Sequence, residues 1–189
     1  MDRRIRRTHK LLVDALLTLA IRDGYDAVTI RDITDFADVS YSTFFRHFPD
    51  KDTLFMDTIA ERIWELRAII DSHESPVEGG TLAFRHVADN QTQYRTLLGG
   101  LNSSGMVQKA QQMIADSLSV EELTEVAPHI PPEISANHVA ASALALLKWW
   151  LDHNMPYSPE RMGEIYAALI IHPVWGVQPA VVNSAFPAT

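Results

Sequence analysis

Apolar residues recur along most of the chain at intervals of three and four, which is the spacing of helices with one buried face. In the first segment Leu12, Leu16 and Leu19 follow this spacing, and Gly24 then ends the pattern as glycine commonly ends a helix. No stretch shows the alternation of apolar and polar residues that a half-buried strand requires. The pattern therefore predicts an all-α fold of about nine helices.

The predicted helix bounds follow from this spacing and from start and stop signals, and they are 3–23, 30–37, 41–47, 50–72, 81–98, 103–117, 120–126, 133–153 and 159–171. The segment 72–80 contains a Ser-Pro and a Gly-Gly pair, so it is predicted to be a loop. We expect a small helical domain at 1–50, a larger one at 51–171 and a tail without periodicity at 172–189.

The segment 29–54, TIRDITDFADVSYSTFFRHFPDKDTLF, contains two short helical patterns joined by a tight turn. Thr29 is predicted to cap the first helix, with Asp32 as the acidic partner of a capping box, and Phe36 is expected to face the core. Ser40 is predicted to cap the second helix, which is rich in hydroxyl and aromatic side chains. This order is typical of a helix-turn-helix that reads the major groove of DNA.

The charge of the chain is unevenly distributed. The net charge is −8, but residues 1–10 carry five basic residues and one acidic residue, a local +4. Residues 61–189 carry seven basic and fourteen acidic residues, a local −7. Because salt screens surface charges beyond about 8–10 Å, the local charge decides phosphate attraction. Four arginines can therefore form a phosphate-binding arm or a solvated terminus: Arg3, Arg4, Arg6 and Arg7.

Several classes of protein are disfavoured by the composition. The chain has no cysteine, and it lacks a signal-peptide pattern, a glycine-rich phosphate loop and a nucleophile elbow. The most apolar segment, 139–151, has 13 residues, whereas a membrane span needs ~20. The eight histidines have no metal-site spacing. We expect a cytoplasmic protein that is not an enzyme and that uses no catalytic residue, cofactor, metal or membrane.

Residues 7–54 resemble the DNA-binding domain of TetR-type transcriptional regulators. The resemblance is carried by these positions: Thr29, Ile33, Ala37, Val39, Ser40, Thr43, Phe45, His47, Phe48, Lys51 and Leu54. The run LKWWLDHNMPYSPERM at 147–162 is similar to one C-terminal variant of the family. The family often has glycine at the position of Asp38, and aspartate can also adopt the left-handed turn conformation.

The resemblance implies two kinds of DNA contact. Base edges are expected to be read by Tyr41, Ser42 and Thr43, with a phosphate contact as the alternative for Tyr41. Phosphate contacts are expected from Thr29, His47 and Lys51, and the Phe45 ring is expected to pack against the sugars. Ser40 is a further expected DNA-binding residue, and Arg46 is either another backbone contact or a solvated side chain. At the position of Phe45 the family commonly has a tyrosine, and the hydroxyl of that tyrosine meets a phosphate. Phenylalanine lacks the hydroxyl, so we expect a loss of about 1 kcal/mol in DNA-binding free energy.

The segment 139–151 is apolar except at Ser142 and Lys148, so its helix is expected to be buried on more than one side. The resemblance implies a four-helix dimer interface built from helices 133–153 and 159–171 of two subunits. The expected interface residues are Val139, Ala143, Leu146, Leu147, Trp150, Met162, Ile165 and Leu169. The alternative is a central helix in a monomeric bundle.

The resemblance also implies a cavity for a small-molecule effector in the larger domain. The candidate lining residues are Trp64, Phe84, His86, Tyr94, Met106, Met113 and Trp149. Methionine and aromatic side chains suit an adaptable apolar cavity, but the same residues also fit an ordinary core. No residue of the chain identifies the effector.

We therefore expect a homodimeric, DNA-binding transcriptional regulator. It is expected to be a repressor that a small-molecule effector releases from its double-stranded DNA operator. Two alternatives remain open. One is an activator or co-regulator whose C-terminal domain docks a protein partner. The other is a ligand-binding helical bundle without DNA function.

Overall fold

The computed structural model describes residues 3–126 and 129–175. Its helices are α1 (Arg3–Asp23), α2 (Ile30–Ala37), α3 (Tyr41–His47), α4 (Lys51–Asp71), α5 (Pro76–Asp89), α6 (Gln91–Gly100), α7 (Ser104–Asp116), α8 (Val120–Val126), α9 (Pro132–Asp152), α10 (Pro159–Tyr166) and α11 (His172–Trp175). A 3-10 turn at Tyr25–Ala27 follows α1, and a π-helical turn at Ala167–Ile171 joins α10 to α11. The described residues form no strand, which confirms the predicted all-α fold.

A first hydrophobic core joins α1, α2 and α3 to the first half of α4. Leu16, Ile33 and Phe44 from the first three helices are completely buried in it. The expectation that Phe36 also faces this core is wrong, because its side chain is 53% exposed. The buried face of α2 runs through Ile33 and Ala37, and Phe36 projects to one side of that face.

The turn between α2 and α3 has the predicted geometry. Asp38 is in the left-handed region, with φ 52° and ψ 47°. Thr29 and Asp32 form the complete capping box at the start of α2, and Ser40 caps α3 by accepting a hydrogen bond from the Thr43 amide at 3.2 Å. These local contacts set the angle at which α3 leaves α2.

Most predicted helix bounds agree with the structure to within two residues, but three features differ by more. The predicted loop at 72–80 ends at Ser75, which caps α5. The predicted single helix at 81–98 is interrupted at Asn90, which has φ −115° and ψ 25° and separates α5 from α6. Helical structure also continues past the predicted end at residue 171 and reaches Trp175.

Two glycines inside α5 explain why the loop prediction failed there. A β-carbon at Gly79 would lie 2.8 Å from the carbonyl oxygen of Ile70 on α4. A β-carbon at Gly80 would lie 2.8 Å from Cδ1 of Tyr166 on α10. The absence of a side chain at these two positions therefore allows α4 and α10 to pack closely against α5. This packing occurs although glycine lowers the intrinsic stability of a helix.

A second hydrophobic core joins the later helices. The Trp150 indole of α9 is buried, packs edge-on against Phe84 of α5 at 5.1 Å, and donates to the carbonyl oxygen of Tyr157 at 2.9 Å. No helix among the described residues is long and apolar enough to cross a membrane.

Helix α4 belongs to both cores. Leu54, Phe55 and Ile59 are buried in the first core, whereas Leu66 and Ile70 pack against the second. One uninterrupted helix of 21 residues therefore connects the two halves of the molecule.

Candidate nucleic-acid interface and ligand cavity

The outer face of α3 exposes the residues that were predicted to read DNA. Tyr41, Ser42 and Phe45 are all exposed, and Thr43 is half-buried. The rings of Tyr41 and Phe45 stand edge to face at 5.1 Å. Arg46 is exposed on the same helix.

The hydroxyl groups at the start of α3 form one connected cluster. Ser40 Oγ lies 3.1 Å from Ser42 Oγ and 2.8 Å from Thr43 Oγ1, both within hydrogen-bond distance. The Arg46 guanidinium donates to Thr43 Oγ1 at 2.9 Å. These contacts hold the polar groups in place before any partner binds, and they place Arg46 along the side of the helix.

The predicted phosphate contacts at Thr29 and Lys51 already have partners within the protein. The Thr29 hydroxyl donates to the Asp32 carboxylate at 2.6 Å. Lys51 Nζ donates to the carbonyl oxygens of Tyr25 at 2.9 Å and Val28 at 2.8 Å, and it lies 4.2 Å from the centre of the Tyr25 ring. Two of the three ammonium donors of Lys51 thus hold the connection between α1 and α2, a structural role that the sequence did not indicate.

His47, at the end of α3, carries little charge at neutral pH. Burial lowers the pKa of His47 from its usual value, and His9 and Arg46 lower it further. In the free protein His47 is therefore mainly a neutral hydrogen-bonding group, and a nearby phosphate would raise its pKa again.

The predicted arginine arm is part of α1. The helix begins at Arg3, and all four arginines are exposed within its first two turns. They form the basic end of a helix rather than an extended strand of chain. Their predicted contact with DNA phosphates remains a prediction.

A cavity of about 150 Å³ lies in the larger domain, between α4, α6, α7 and α9. Its lining is apolar apart from five residues, Arg62, Arg67, Tyr94, Ser117 and Tyr166. A second chamber of about 80 Å³ adjoins it towards α5 and shares Leu66, Ile70, Ala143, Leu147 and Tyr166 with it. An apolar cavity with a few polar groups is typical of a small-molecule site.

Only two of the predicted lining residues line these chambers. Tyr94 lines the larger chamber and Phe84 lines the smaller one. His86 packs edge-on against the Tyr94 ring at 5.9 Å but lies behind it. The remaining candidates lie elsewhere, since Met106 and Met113 pack against the first core.

The two tryptophan candidates are on the surface. Trp64 is 60% exposed and Trp149 is 42% exposed, and neither contributes to either chamber. Trp149 stacks on His153 at 4.5 Å. Their assignment to the cavity is therefore corrected, because the adjacent positions on α4 and α9 face inward instead.

Arg62 was missed by the sequence interpretation. It lies three residues after Ile59 on α4 and thus on the same helix face, which was the available signal. Its Nη1 donates to the Glu65 carboxylate. Its Nε is buried without a hydrogen-bond partner among the described residues.

The predicted dimer residues divide into three groups. Val139, Trp150 and Met162 are buried inside their own subunit, so they have no surface left to bury against a second one, and this part of the prediction is corrected. Ala143 and Leu147 line the cavity. Leu146 and Ile165 are partly buried and Leu169 is 64% exposed, so these three remain available to a partner.

The junction of α1 and α4 contains three polar groups that the sequence does not place together. His9 Nε2 lies 2.5 Å from the Asp57 carboxylate, and Nδ1 lies 3.7 Å from that of Glu61. These are three possible metal ligands within 4.8 Å, but the hydrogen bond to Asp57 already occupies one of the ring nitrogens. The arrangement ties α1 to α4.

Two protein-family patterns match this chain, and together they extend over most of the helices. The pattern described as "Bacterial regulatory proteins, tetR family" matches residues 12–58, and the pattern described as "Transcriptional regulator C-terminal region" matches residues 74–172. The HTH-type transcriptional repressor KstR of Mycobacterium tuberculosis is 34% identical over 76 residues, which are 40% of this chain. The chain spans only 34% of the length of that repressor.

Solved structures share the fold at low sequence identity. A tetR family transcription regulator from Shewanella sp. PV-4 has a TM-score of 0.66 at 17% identity, covering 89% of this chain and 96% of the other. The transcriptional regulator FadR from Bacillus subtilis, in complex with stearoyl-CoA, has a TM-score of 0.62 at 16% identity, covering 89% of this chain and 99% of the other.

Proposed function

The chain belongs to the TetR family of bacterial transcriptional regulators, and from that membership we propose that it is a dimeric repressor released from operator DNA by a small-molecule effector. The proposal places the protein in the cytoplasm, where operator DNA is found. Tyr41, Ser42 and Thr43 read base edges, and the arginines at the start of α1 contact phosphates.

The observation that carries the proposal is the position of α4. Ile59 is buried in the core of the DNA-binding half and also lines the cavity. The next turns of the same helix contribute Ile63 and Leu66 to that cavity. A molecule that displaces these side chains must therefore also act on the helix that supports α2 and α3.

The proposed mechanism is a shift between two arrangements of the dimer. Without effector, the two α3 helices are spaced to enter successive major grooves, about one helical turn of DNA apart. The effector binds the arrangement in which α4 is moved, and that arrangement no longer matches the groove spacing. KstR is a repressor and the Bacillus FadR was solved in complex with stearoyl-CoA, so repression and the binding of a small molecule each occur in a protein similar to this chain.

A direct test measures binding of the purified protein to DNA upstream of its own gene by fluorescence anisotropy at several salt concentrations. We expect affinity to fall steeply with salt, because phosphate contacts release counterions. Thr43→Ala should weaken binding to that DNA, whereas Trp64→Ala, on the far side of α4 from the cavity, should leave it unchanged. Equal loss in both variants, or no DNA binding by the purified protein, would favour a partner-dependent co-regulator or a bundle without DNA function.

Dimerisation is tested at Leu169. Its exposed side chain on the π-helical turn lies beside the partly buried Ile165, so these residues support a contact with a second copy. Leu169→Glu should shift the protein to monomers in analytical ultracentrifugation and abolish operator binding. The matched control is Val120→Glu on α8, which is 62% exposed and lies outside the predicted interface.

A further inference from the structure

We propose that the cavity selects an uncharged, mainly apolar molecule with one hydrogen-bond acceptor, such as a ketone or an ester, and that Tyr94 and Arg62 donate to that acceptor. The inference rests on the effector role in the proposed function and names the chemical class of the effector.

The size and the lining of the cavity exclude most polar molecules. The larger chamber has a volume of about 150 Å³, and apolar cavities of about that size accommodate a single aromatic ring in other proteins. The adjoining chamber adds room for a few more atoms. The described lining is dominated by leucine, isoleucine, valine and alanine side chains, which cannot compensate a polar molecule for its lost hydration.

Within the part of the chain that the structure describes, two buried donors beside this apolar space lack partners. The Tyr94 side chain is only 4% exposed, and its hydroxyl has no hydrogen-bond partner among the described residues. Burial raises the pKa of Tyr94, and the nearby Glu65 raises it further, so the hydroxyl keeps its proton. Arg62 Nε is the second buried donor without a partner.

A buried polar group without a partner destabilises the protein, so each one needs an explanation. Tyr94 and Arg62 both line the cavity, and both can donate. A ligand that offers an acceptor beside these two side chains would satisfy them. His86 Nε2 is also unpartnered, but it lies 3.6 Å from the Glu65 carboxylate, which a small shift would bring within hydrogen-bond distance.

The charge balance of the lining favours a neutral ligand over an anion. Both arginines of the lining already have acidic partners, since Arg62 is paired with Glu65 and Arg67 donates to Asp71 at 2.8 Å. The cavity thus offers hydrogen-bond donors without an excess of positive charge. A carboxylate would enter apolar surroundings with no free cation to balance it, which is strongly unfavourable.

The experiment uses three probes of nearly equal size: acetophenone, which has an acceptor; ethylbenzene, which has none; and benzoate, which is an anion. Binding to the full-length protein is measured by isothermal titration calorimetry and by the shift in melting temperature. We expect acetophenone to bind at least tenfold more tightly than ethylbenzene, and benzoate to bind most weakly. Tyr94→Phe removes one of the two donors and should reduce acetophenone affinity several-fold, towards that of ethylbenzene, while ethylbenzene binding stays the same.

Tyr157→Phe is the matched control, because this exposed tyrosine lies outside both chambers. Removing its hydroxyl should leave the affinity for every probe unchanged. Circular dichroism checks that both variants are folded. Equal affinities for acetophenone and ethylbenzene, a preference for benzoate, or no binding of any probe would each overturn the inference. Operator release is scored separately, so selective acetophenone binding without any effect on DNA would count against the effector role alone.

Discussion

Gly100 at the end of α6 lies directly against Phe55 of α4, so closely that a β-carbon at Gly100 would be 2.5 Å from Cζ of the ring. Phe55 is almost completely buried, and its ring also packs against that of Tyr25 at 4.2 Å. The ring therefore has little space into which it could move. Through this contact α6 lies against the section of α4 that packs with α1, α2 and α3.

Gly100→Ala should destabilise the protein because the added methyl group overlaps the Phe55 ring. We expect a loss of about 1–3 kcal/mol in the free energy of unfolding, measured with urea. Gly99→Ala is the control, since a β-carbon there would meet no atom within 4 Å. That variant should be neutral or gain up to about 1 kcal/mol, because alanine favours a helix more than glycine. Similar behaviour of the two variants would contradict the close contact.

Lys51→Met should reduce stability as well as DNA affinity. The substitution keeps an apolar stem but removes the hydrogen bonds from Nζ to the carbonyl oxygens of Tyr25 and Val28. We expect unfolding to become easier by about 1–3 kcal/mol, the usual effect of losing a charged donor to buried acceptors. Arg46→Met, which removes an exposed charge on α3, should weaken DNA binding with little change in stability. Unchanged stability in Lys51→Met would show that the ammonium serves DNA alone.

Phe45→Tyr should strengthen operator binding. Its side chain is exposed on α3 beside Tyr41, and the family commonly uses a tyrosine hydroxyl at this position to meet a phosphate. One added hydrogen bond of about 1 kcal/mol corresponds to roughly fivefold tighter binding in fluorescence anisotropy at fixed salt. Tyr41→Phe removes a hydroxyl from the neighbouring ring and should act in the opposite direction. Weaker binding by Phe45→Tyr would indicate that the ring packs where a hydroxyl has no room.

The ion pair between Arg85 of α5 and Glu160 of α10, at 2.7 Å, should make stability depend on pH. The hydrogen bond from Arg85 lowers the pKa of Glu160 from 4.5 to about 2. Because the folded pKa lies below the unfolded one, the stabilisation is complete above pH 4.5 and is lost as the pH falls towards 2.

Thermal unfolding of the native protein and of Glu160→Gln, followed from pH 7 down to pH 3, measures this effect. The difference in melting temperature between the native protein and Glu160→Gln should be largest near pH 7 and should shrink towards pH 3. In an Arg85→Gln background the Glu160→Gln substitution should have a smaller effect, because only the hydrogen bonds from the Glu160 amide and from Ser158 then favour the carboxylate. A difference that stays constant across the range would show that the pair does not titrate in this way.

The small DNA-binding domain was largely predictable because its signals are local. The capping box at Thr29, the cap at Ser40 and the left-handed turn at Asp38 all act within four residues of the sequence. Hydrogen bonds of this kind form in the same way wherever the segment lies, so α1, α2 and α3 have the predicted bounds.

The larger domain was less predictable, because its decisive contacts join residues that are far apart in the chain. In the sequence, the pair Gly79 and Gly80 indicates a loop. In the structure both glycines lie inside a helix, because α4 and α10 pack too closely against them to leave room for a side chain. A tryptophan in a helix with many apolar residues is expected to be buried, yet Trp64 and Trp149 are exposed. Packing against neighbouring helices decides which face of α4 and of α9 is turned inward.

The sequence by itself determined the helical class and the position and bounds of the helix-turn-helix, since helical periodicity and capping depend on near neighbours. Only the tertiary structure decided that Lys51 supports the chain between α1 and α2, and that Arg62 and Tyr94 lie beside one apolar cavity. The physical reason is that burial and hydrogen bonding between distant segments depend on how the helices pack. Along the chain, Arg62 and Tyr94 are separated by 31 residues and share no local signal.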